Sequence, residues 1–236
     1  MSKLLQNVIL AISALSCIAG MSSCDTTPPQ NPNPPLARSY FYSGPEGYRF
    51  VYQSRLTRYS ALDSVLEQDI DTVTYRKMGL DTNRSIGRMV YEVSESRSGL
   101  DYIETRYFTF DNDNYIEWIK NAPNASPKYT QMYRLKNPVV RGAEYQWIEG
   151  HPQRAVITST DRAYRTLAGV YSGVEVAIRY DTVGMTEQYV PIEYRTIYTL
   201  GNGHIYLTTK SVRKHPNPDS VQTIIYDEQL MGIFRN

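Results

Sequence analysis

Cysteine is almost missing from this 236-residue chain: there are two, Cys17 and Cys24, and both lie within the first 24 residues. The rest of the chain therefore cannot form an internal disulfide or build a cysteine-based metal site. Histidine is nearly as scarce. His151 and His215 each precede a proline in apparent loops, and His204 follows Gly201-Asn202-Gly203. None has a second histidine or a cysteine at metal-ligand spacing. The expectation is three exposed loop residues, no metal, no cofactor and no catalytic residue among them. Net charge is lacking too. There are 25 Lys and Arg against 24 Asp and Glu, and Lys3 is the only charged residue before Cys24, so the part from Cys24 onwards balances at zero. A neutral body gives no electrostatic case for nucleic acid or for an anionic lipid surface. Helix signals are few, and no G-x-S-x-G elbow is present to suggest a serine hydrolase.

What is present starts with the leader. Lys3 gives a basic start, and Val8 to Gly20 is an apolar run with a few serines. That run is too short to span a bilayer comfortably, which takes about 20 apolar residues, and it fits the core of a secretory signal peptide. Its end, Met21-Ser22-Ser23-Cys24, resembles the lipobox of bacterial lipoproteins, with an apolar residue, two small residues and a cysteine. The usual pattern has Leu where Met21 stands and Ala or Gly where Ser23 stands. The resemblance implies cleavage before Cys24, a diacylglyceryl thioether on its sulfur and acylation of its amino group. Several acyl chains anchor far more stably than one. The plainer reading is an ordinary signal peptide with an incidental cysteine. Against it, Cys24 is the sole cysteine of the exported part. Cys17, after Ala14-Leu15-Ser16, is a poorer site. Asp25 to Ala37 then holds Pro28, Pro29, Pro32, Pro34 and Pro35 among Thr, Asn and Gln. Such a segment buries nothing and favours an extended polyproline conformation of about 3.1 Å per residue. The expected organisation is a lipoprotein signal peptide over 1–23, a lipidated cysteine and tether over 24–37, and one β-rich domain over 38–236.

Within that domain the apolar pattern has period two, the signature of strands with one buried face. Tyr48, Phe50 and Tyr52 alternate with polar or smaller residues, and so do Phe108 and Phe110. Asp111-Asn112-Asp113-Asn114 divides that second run from Tyr115 to Ile119, reading as strand, turn, strand. Asn121 to Lys128 reads as a loop and Tyr129 to Leu135 as a strand. Val174, Val176, Ile178 and Tyr180 alternate with Glu175, Ala177, Arg179 and Asp181. Ile192 to Leu200 and His204 to Val212 flank a tight Gly-Asn-Gly hairpin. Arg213 to Asp219 reads as a loop, Ser220 to Tyr226 as the last regular strand, and Leu230 to Phe234 as a closing segment. Ser60 to Gln68 fits a short helix capped by Ser60, or a strand leading into Ile70 to Tyr75. Ten to twelve antiparallel strands and at most two short helices are expected. The 21 tyrosines, against 5 Phe and 2 Trp, suit half-buried pleated surfaces with wet hydroxyls.

The chain also echoes itself. Gly47-Tyr-Arg-Phe50-Val-Tyr52 and Gly142-Ala-Glu-Tyr145-Gln-Trp147 share a glycine, a charged residue and two spaced aromatics, 95 residues apart. Two related sheet halves would produce that, as would coincidence. Thr166-Leu167-Ala168-Gly169-Val170-Tyr171, running into Val174-Glu175-Val176, resembles a T-P-A-G-x-F…V-x-V stretch of a broad group of bacterial lipoproteins common in Bacteroidota. Leu135, Pro138, Gly142 and Tyr145 match an element before it, with Trp147 two residues late. Tyr198, Gly201 and Gly203 match one after it, and Gly47, Phe50 and Tyr52 one near the start. The departures are Leu167 for Pro, Tyr171 for Phe and Phe50 for Trp. This resemblance implies an architecture and an address more than an activity.

Candidate chemistry is thin. Asp111 to Asn114 starts like a calcium loop, but Ile116 and Ala122 stand where its Gly and Glu belong, so a turn is expected. Glu104, Glu117, Glu144, Glu149, Glu175 and Glu193 lie on or near strands, and no pair of the kind a glycosidase needs can be selected among them. Asp63-Ser64-Val65, Asp71-Thr72-Val73, Asp181-Thr182-Val183 and Asp219-Ser220-Val221 resemble O-glycosylation triplets of Bacteroidota, and equally suit turns that start strands. The expected fold is all-β: an antiparallel, strongly curved sheet forming a half-barrel or open barrel, with a flat sandwich as the alternative. The expected function is non-catalytic. A lipoprotein of the cell envelope, held at the outer membrane through Cys24, would bind a protein or glycan. A carrier of an apolar ligand such as a lipid, lined by Phe108, Phe110, Val176, Ile178 and Leu207, is the second reading, and an envelope hydrolase the third.

Overall fold

The computed structural model describes residues 34–84, 86–98, 100–180, 188–214 and 221–235. The leader, Cys17, Cys24, His215 and the triplet at Asp181 lie outside these residues, as do Asp219 and Ser220. Twelve strands form one antiparallel sheet: β1 Arg49–Tyr59, β2 Val65–Asn83, β3 Arg88–Arg97, β4 Leu100–Asp111, β5 Asn114–Lys120, β6 Tyr129–Leu135, β7 Glu144–Gln146, β8 Arg154–Thr166, β9 Gly169–Arg179, β10 Tyr189–Thr199, β11 Gly203–Arg213 and β12 Thr223–Phe234. The one helical element among the described residues is a 3₁₀ turn at Ala37–Tyr40. The fold is therefore all-β, as the period-two pattern requires.

The strand order is β6-β5-β4-β3-β2-β1-β12-β11-β10-β9-β8-β7. Two six-stranded meanders are joined where β1 pairs with β12, from Arg49 opposite Phe234 to Tyr59 opposite Thr223. The free ends, β6 and β7, then meet. Past β7, the Trp147 carbonyl accepts from the Tyr133 amide at 2.8 Å, and the Glu149 amide donates to the Gln131 carbonyl at 3.0 Å. Met132 bridges Ile148 between them. The sheet is thus a nearly closed barrel, and closure satisfies edges that would otherwise invite pairing with another chain. Each copy of the sequence echo opens one meander. Gly47 and Gly142 take φ +87° and +85°, a conformation glycine adopts without penalty, and Phe50 and Tyr145 follow as buried residues.

Local expectations hold at the turns. Asn112 and Asp113 both have positive φ in the β4–β5 hairpin, and Gly201 and Gly203 do in the β10–β11 hairpin. Of the two readings of Ser60 to Gln68 the strand holds: Ser60 closes a turn, its Oγ accepting from the amides of Leu62 and Ser64, and β2 follows from Val65. Two others are corrected. Leu230 to Phe234 continues β12, since its register with β1 runs unbroken apart from one bulge at Val51/Tyr52. Ala37 is not free tether: it is fully buried, and its amide donates to Asn137 Oδ1 at 2.9 Å.

The segment after Ala37 plugs one end of the barrel. Phe41 lies with its ring centroid 5.3–5.5 Å from those of Tyr42, Tyr91, Phe108, Phe110 and Tyr115. Backbone bonds hold the plug to the rim: Arg38 to Asp113, Ser43 to Gly201, and Gly201 back to Ser39. Phe50, Tyr52, Val73, Val174, Val176, Ile205 and Leu230 belong to the same packed cluster, with Tyr206 at its margin.

Candidate functional site

Beyond the plug, towards the other end, the interior turns from aromatic to ionic. Glu117 on β5 faces Arg106 on β4 and Arg134 on β6. Arg106 Nη1 donates to Glu117 Oε1 at 3.1 Å, and Arg134 Nε donates to Glu117 Oε2 at 2.5 Å. Arg106 also pairs with Glu95 on β3, which takes Arg97 Nε at 3.2 Å. Arg134 Nη1 reaches across the lumen to the Tyr194 hydroxyl on β10 at 2.6 Å. Glu95, Glu117 and Glu228 are all nearly inaccessible to solvent. A buried carboxylate survives only when paired and hydrogen-bonded, and each of these is.

Glu228, on β12, ties this network to the plug. It accepts from Tyr226 and Tyr75, and it lies 3.1 Å from His204 Nε2. The His204 Nδ1 is 3.0 Å from the Tyr42 hydroxyl, and its ring stacks on Tyr52 at 4.6 Å between centroids. Nε2 faces Glu228 and Nδ1 faces Tyr42, so one ring links the carboxyl group to the plug. His204 is therefore a part of the interior, which corrects the expectation of an exposed loop residue. The reason is the tight Gly201-Asn202-Gly203 turn, which starts β11 at Gly203 and carries the next side chain inward. His151 is exposed, as expected.

Burial favours the neutral form of a carboxyl group, yet Glu117 and Glu228 are both shifted downward. At Glu117 desolvation is outweighed by the guanidinium groups of Arg134 and Arg106. At Glu228 desolvation is outweighed by the hydrogen bond and charge of His204 and the bond from Tyr226, bringing it to about 2. Tyr42, Tyr52, Tyr75 and Tyr115 are pushed far upward, first by burial. These hydroxyls remain protonated donors, not bases.

At the end opposite the plug the network opens into a cavity of about 740 Å³. Arg106, Glu117 and Arg134 form its floor, with Leu207, and a smaller recess of about 120 Å³ lies on their plug side. Its walls include Glu104, Met132, Tyr129, Trp147 and Tyr194. Trp147 packs at 5.0 Å on Tyr194. Of the acidic residues that sequence could not rank, Glu104 and Glu117 share this cavity. Glu175 lies elsewhere, buried against Thr158 and Tyr164 and 3.6 Å from Arg195. Of the residues expected to line an apolar cavity, Leu207 and Phe108 reach these spaces, while Phe110, Val176 and Ile178 pack into the aromatic and aliphatic cluster. The interior arginines were not singled out from the sequence, although period two places Arg106 on the same face as Phe108 and Phe110.

No protein-family model and no curated protein matches the chain. Among solved structures, it is similar to a candidate exported protein with a YmcC-like fold from Bacteroides fragilis, at 12% identity and TM-score 0.45, over 84% of this chain and 100% of that one. A candidate lipoprotein from Parabacteroides distasonis is similar at 11% identity and TM-score 0.42, over 83% and 99%.

Proposed function

We propose that this protein is a non-catalytic, lipid-anchored lipoprotein of the bacterial envelope, sited at the outer membrane, that binds a glycan in the open mouth of its barrel. The address rests on the leader and on Met21-Ser22-Ser23-Cys24. The binding reading rests on one observation: a cavity of about 740 Å³ in which the Trp147 and Tyr194 rings stand beside Glu104, Arg106 and Arg134. Pockets that fix a polar ligand combine aromatic wall with a few placed polar groups. A sugar presents an apolar face to stack on a ring and hydroxyls to meet carboxylate and guanidinium. An acyl chain there would lie against Arg106, Glu117 and Arg134 without bonding to them, which is costly. Catalysis by paired carboxylates is disfavoured because both oxygens of Glu117 are held by arginines and its pKa is lowered, so it makes a poor general acid.

The test is an array of envelope-derived oligosaccharides, followed by titration of hits with native mass spectrometry and tryptophan fluorescence. A saturable one-to-one complex that Trp147→Ala weakens at least tenfold is expected. A stoichiometric co-purified lipid in the organic extract, with no glycan bound, would move the assignment to the apolar carrier.

A further inference from the structure

The end of the barrel where the chain enters carries an exposed apolar rim. Leu36, Leu80, Leu167, Leu200, Ile233 and Phe234 are each more than a third exposed. Separate elements bring them there. Leu36 precedes the plug, and Leu200 sits beside Gly201, which the plug bonds. Leu80 lies on the β2–β3 hairpin past Arg76, the last β2 residue paired with β1. Leu167 is in the β8–β9 turn, whose Ala168 amide donates to the Leu230 carbonyl at 3.0 Å. Ile233 and Phe234 end β12 opposite Phe50 and Arg49.

Guanidinium groups stand among these side chains. Arg49, Arg76, Arg84 and Arg165 have no carboxylate partner among the described residues. The rim's acids are Glu46, Asp81, Asp111 and Asp113, of which Asp113 is taken by Arg38 at 2.8 Å. The far end is apolar too, at Leu62, Val65, Leu66, Ile70 and Ile103. There Asp63, Glu67, Asp69 and Glu104 stand near these side chains, with Arg58 bonded to Glu67 and Asp69, while Lys120, Lys210 and Arg213 lie at the same end of their strands.

The described chain begins at Pro34, two residues before Leu36 of the basic rim and ten residues after Cys24. Ten residues reach at most about 36 Å when fully extended. We propose that this rim docks on a bilayer of anionic phospholipid, its leucines and Phe234 entering the headgroup boundary and its free arginines meeting phosphates. The inference rests on the anchor at Cys24. It goes further by assigning the face that the anchored body turns to the membrane, which leaves the glycan mouth pointing away.

The mature lipoprotein has no free thiol once Cys24 is alkylated, so single cysteines can be labelled cleanly. Leu167→Cys, Leu200→Cys and, at the far end, Ile70→Cys would carry a polarity-sensitive fluorophore. Each would be reconstituted in vesicles of phosphatidylcholine, with and without phosphatidylglycerol, containing a bilayer-embedded quencher. Strong quenching at 167 and 200, little at 70, and reversal by salt or by Arg84→Glu with Arg165→Glu are expected with phosphatidylglycerol. Labels at 167 and 200 quenched no more than the one at 70 would overturn the docking. Equal quenching on neutral vesicles would overturn the anionic requirement. The mass of the N-terminal peptide reports separately on the anchor: an unmodified Cys24 would sink that reading, and a lipidated Cys24 with unquenched labels would sink only this one.

Discussion

The two ends of the barrel interior are built from opposite materials. At the plugged end, Phe41 is ringed by five aromatic side chains, and its stability comes from area and packing. Towards the mouth, Glu95, Glu117 and Glu228 are equally buried, but three arginines and a histidine hold them. A closed aromatic end gains from every contact. An ionic lumen gains little in net stability, because desolvation offsets attraction. The plug joins the two regimes, since Tyr42 packs on Phe50 at 4.6 Å and bonds His204 with its hydroxyl.

The contrast can be broken first at its dry end. Phe41→Ala leaves a cavity among five rings. It should cost about 3–5 kcal/mol, read as a lower midpoint in urea with an unchanged slope. A loss under about 1 kcal/mol, far below what truncating a packed aromatic costs, would mean that the plug is not part of the folded core.

Glu117→Ala attacks the ionic end and leaves Arg106 and Arg134 facing each other without their shared carboxylate. Removal of one partner from a buried pair costs roughly 3–5 kcal/mol, and water entering from the mouth should keep this one near the lower figure. The double change Glu117→Leu with Arg134→Met should recover most of the loss, because an apolar pair avoids the desolvation cost altogether. Failure of that recovery would show that the network stabilises the fold by more than mutual charge compensation.

Much of this arrangement was legible in the residues. Alternation at Tyr48 to Tyr52 and at Val174 to Ile178, and turns at Asn112-Asp113 and Gly201 to Gly203, specify strands and hairpins locally, so strand number and curvature followed. The Gly47 and Gly142 echo marked the starts of the two meanders. What alternation does not carry is the choice of which face is inside when both faces hold charge. Arg106, Arg134 and Glu117 lie on the inner face because the barrel closes at Tyr133 and Trp147, a contact set by long-range topology. Glu175 taught the same lesson in reverse: it opposes the Val174–Ile178 face, yet it is buried because Tyr164 and Thr158 fold over it.

Glu228 sharpens the comparison through pH. Its folded pKa, about 2, lies below the usual glutamate value near 4.3, so its stabilising contribution is complete above that value and is lost as pH falls towards 2. The shift corresponds to roughly 2–3 kcal/mol. The urea midpoint should therefore drop between about pH 5 and pH 2, and Glu228→Gln should flatten that drop while lowering stability at neutral pH. Phe41→Ala, whose ring neighbours carry no carboxylate, should shift the whole acid limb down and keep its shape. If Glu228→Gln leaves the acid limb unchanged, the acid sensitivity belongs to another carboxylate, and Glu117→Gln is the next to measure.

The smallest expected effect falls where the two regimes meet. Gly203 holds φ +69° at the start of β11, and a Cβ built there would come within 2.3–2.7 Å of the Tyr42 ring. Gly203→Ala must therefore move the plug tyrosine, strain the turn, or both, at about 1–3 kcal/mol. Because Tyr42 bonds His204, the displacement should also reach the lumen: the His204 ring protons should shift in NMR spectra, and the titration of Glu228 should move up towards the ordinary range as its partner loses its hold. Gly87→Ala is the control, since φ +75° there meets no neighbour within 4 Å. It should strain its turn without touching His204. Equal effects on His204 from both alanines would mean that the plug and the ionic lumen are not coupled through Tyr42.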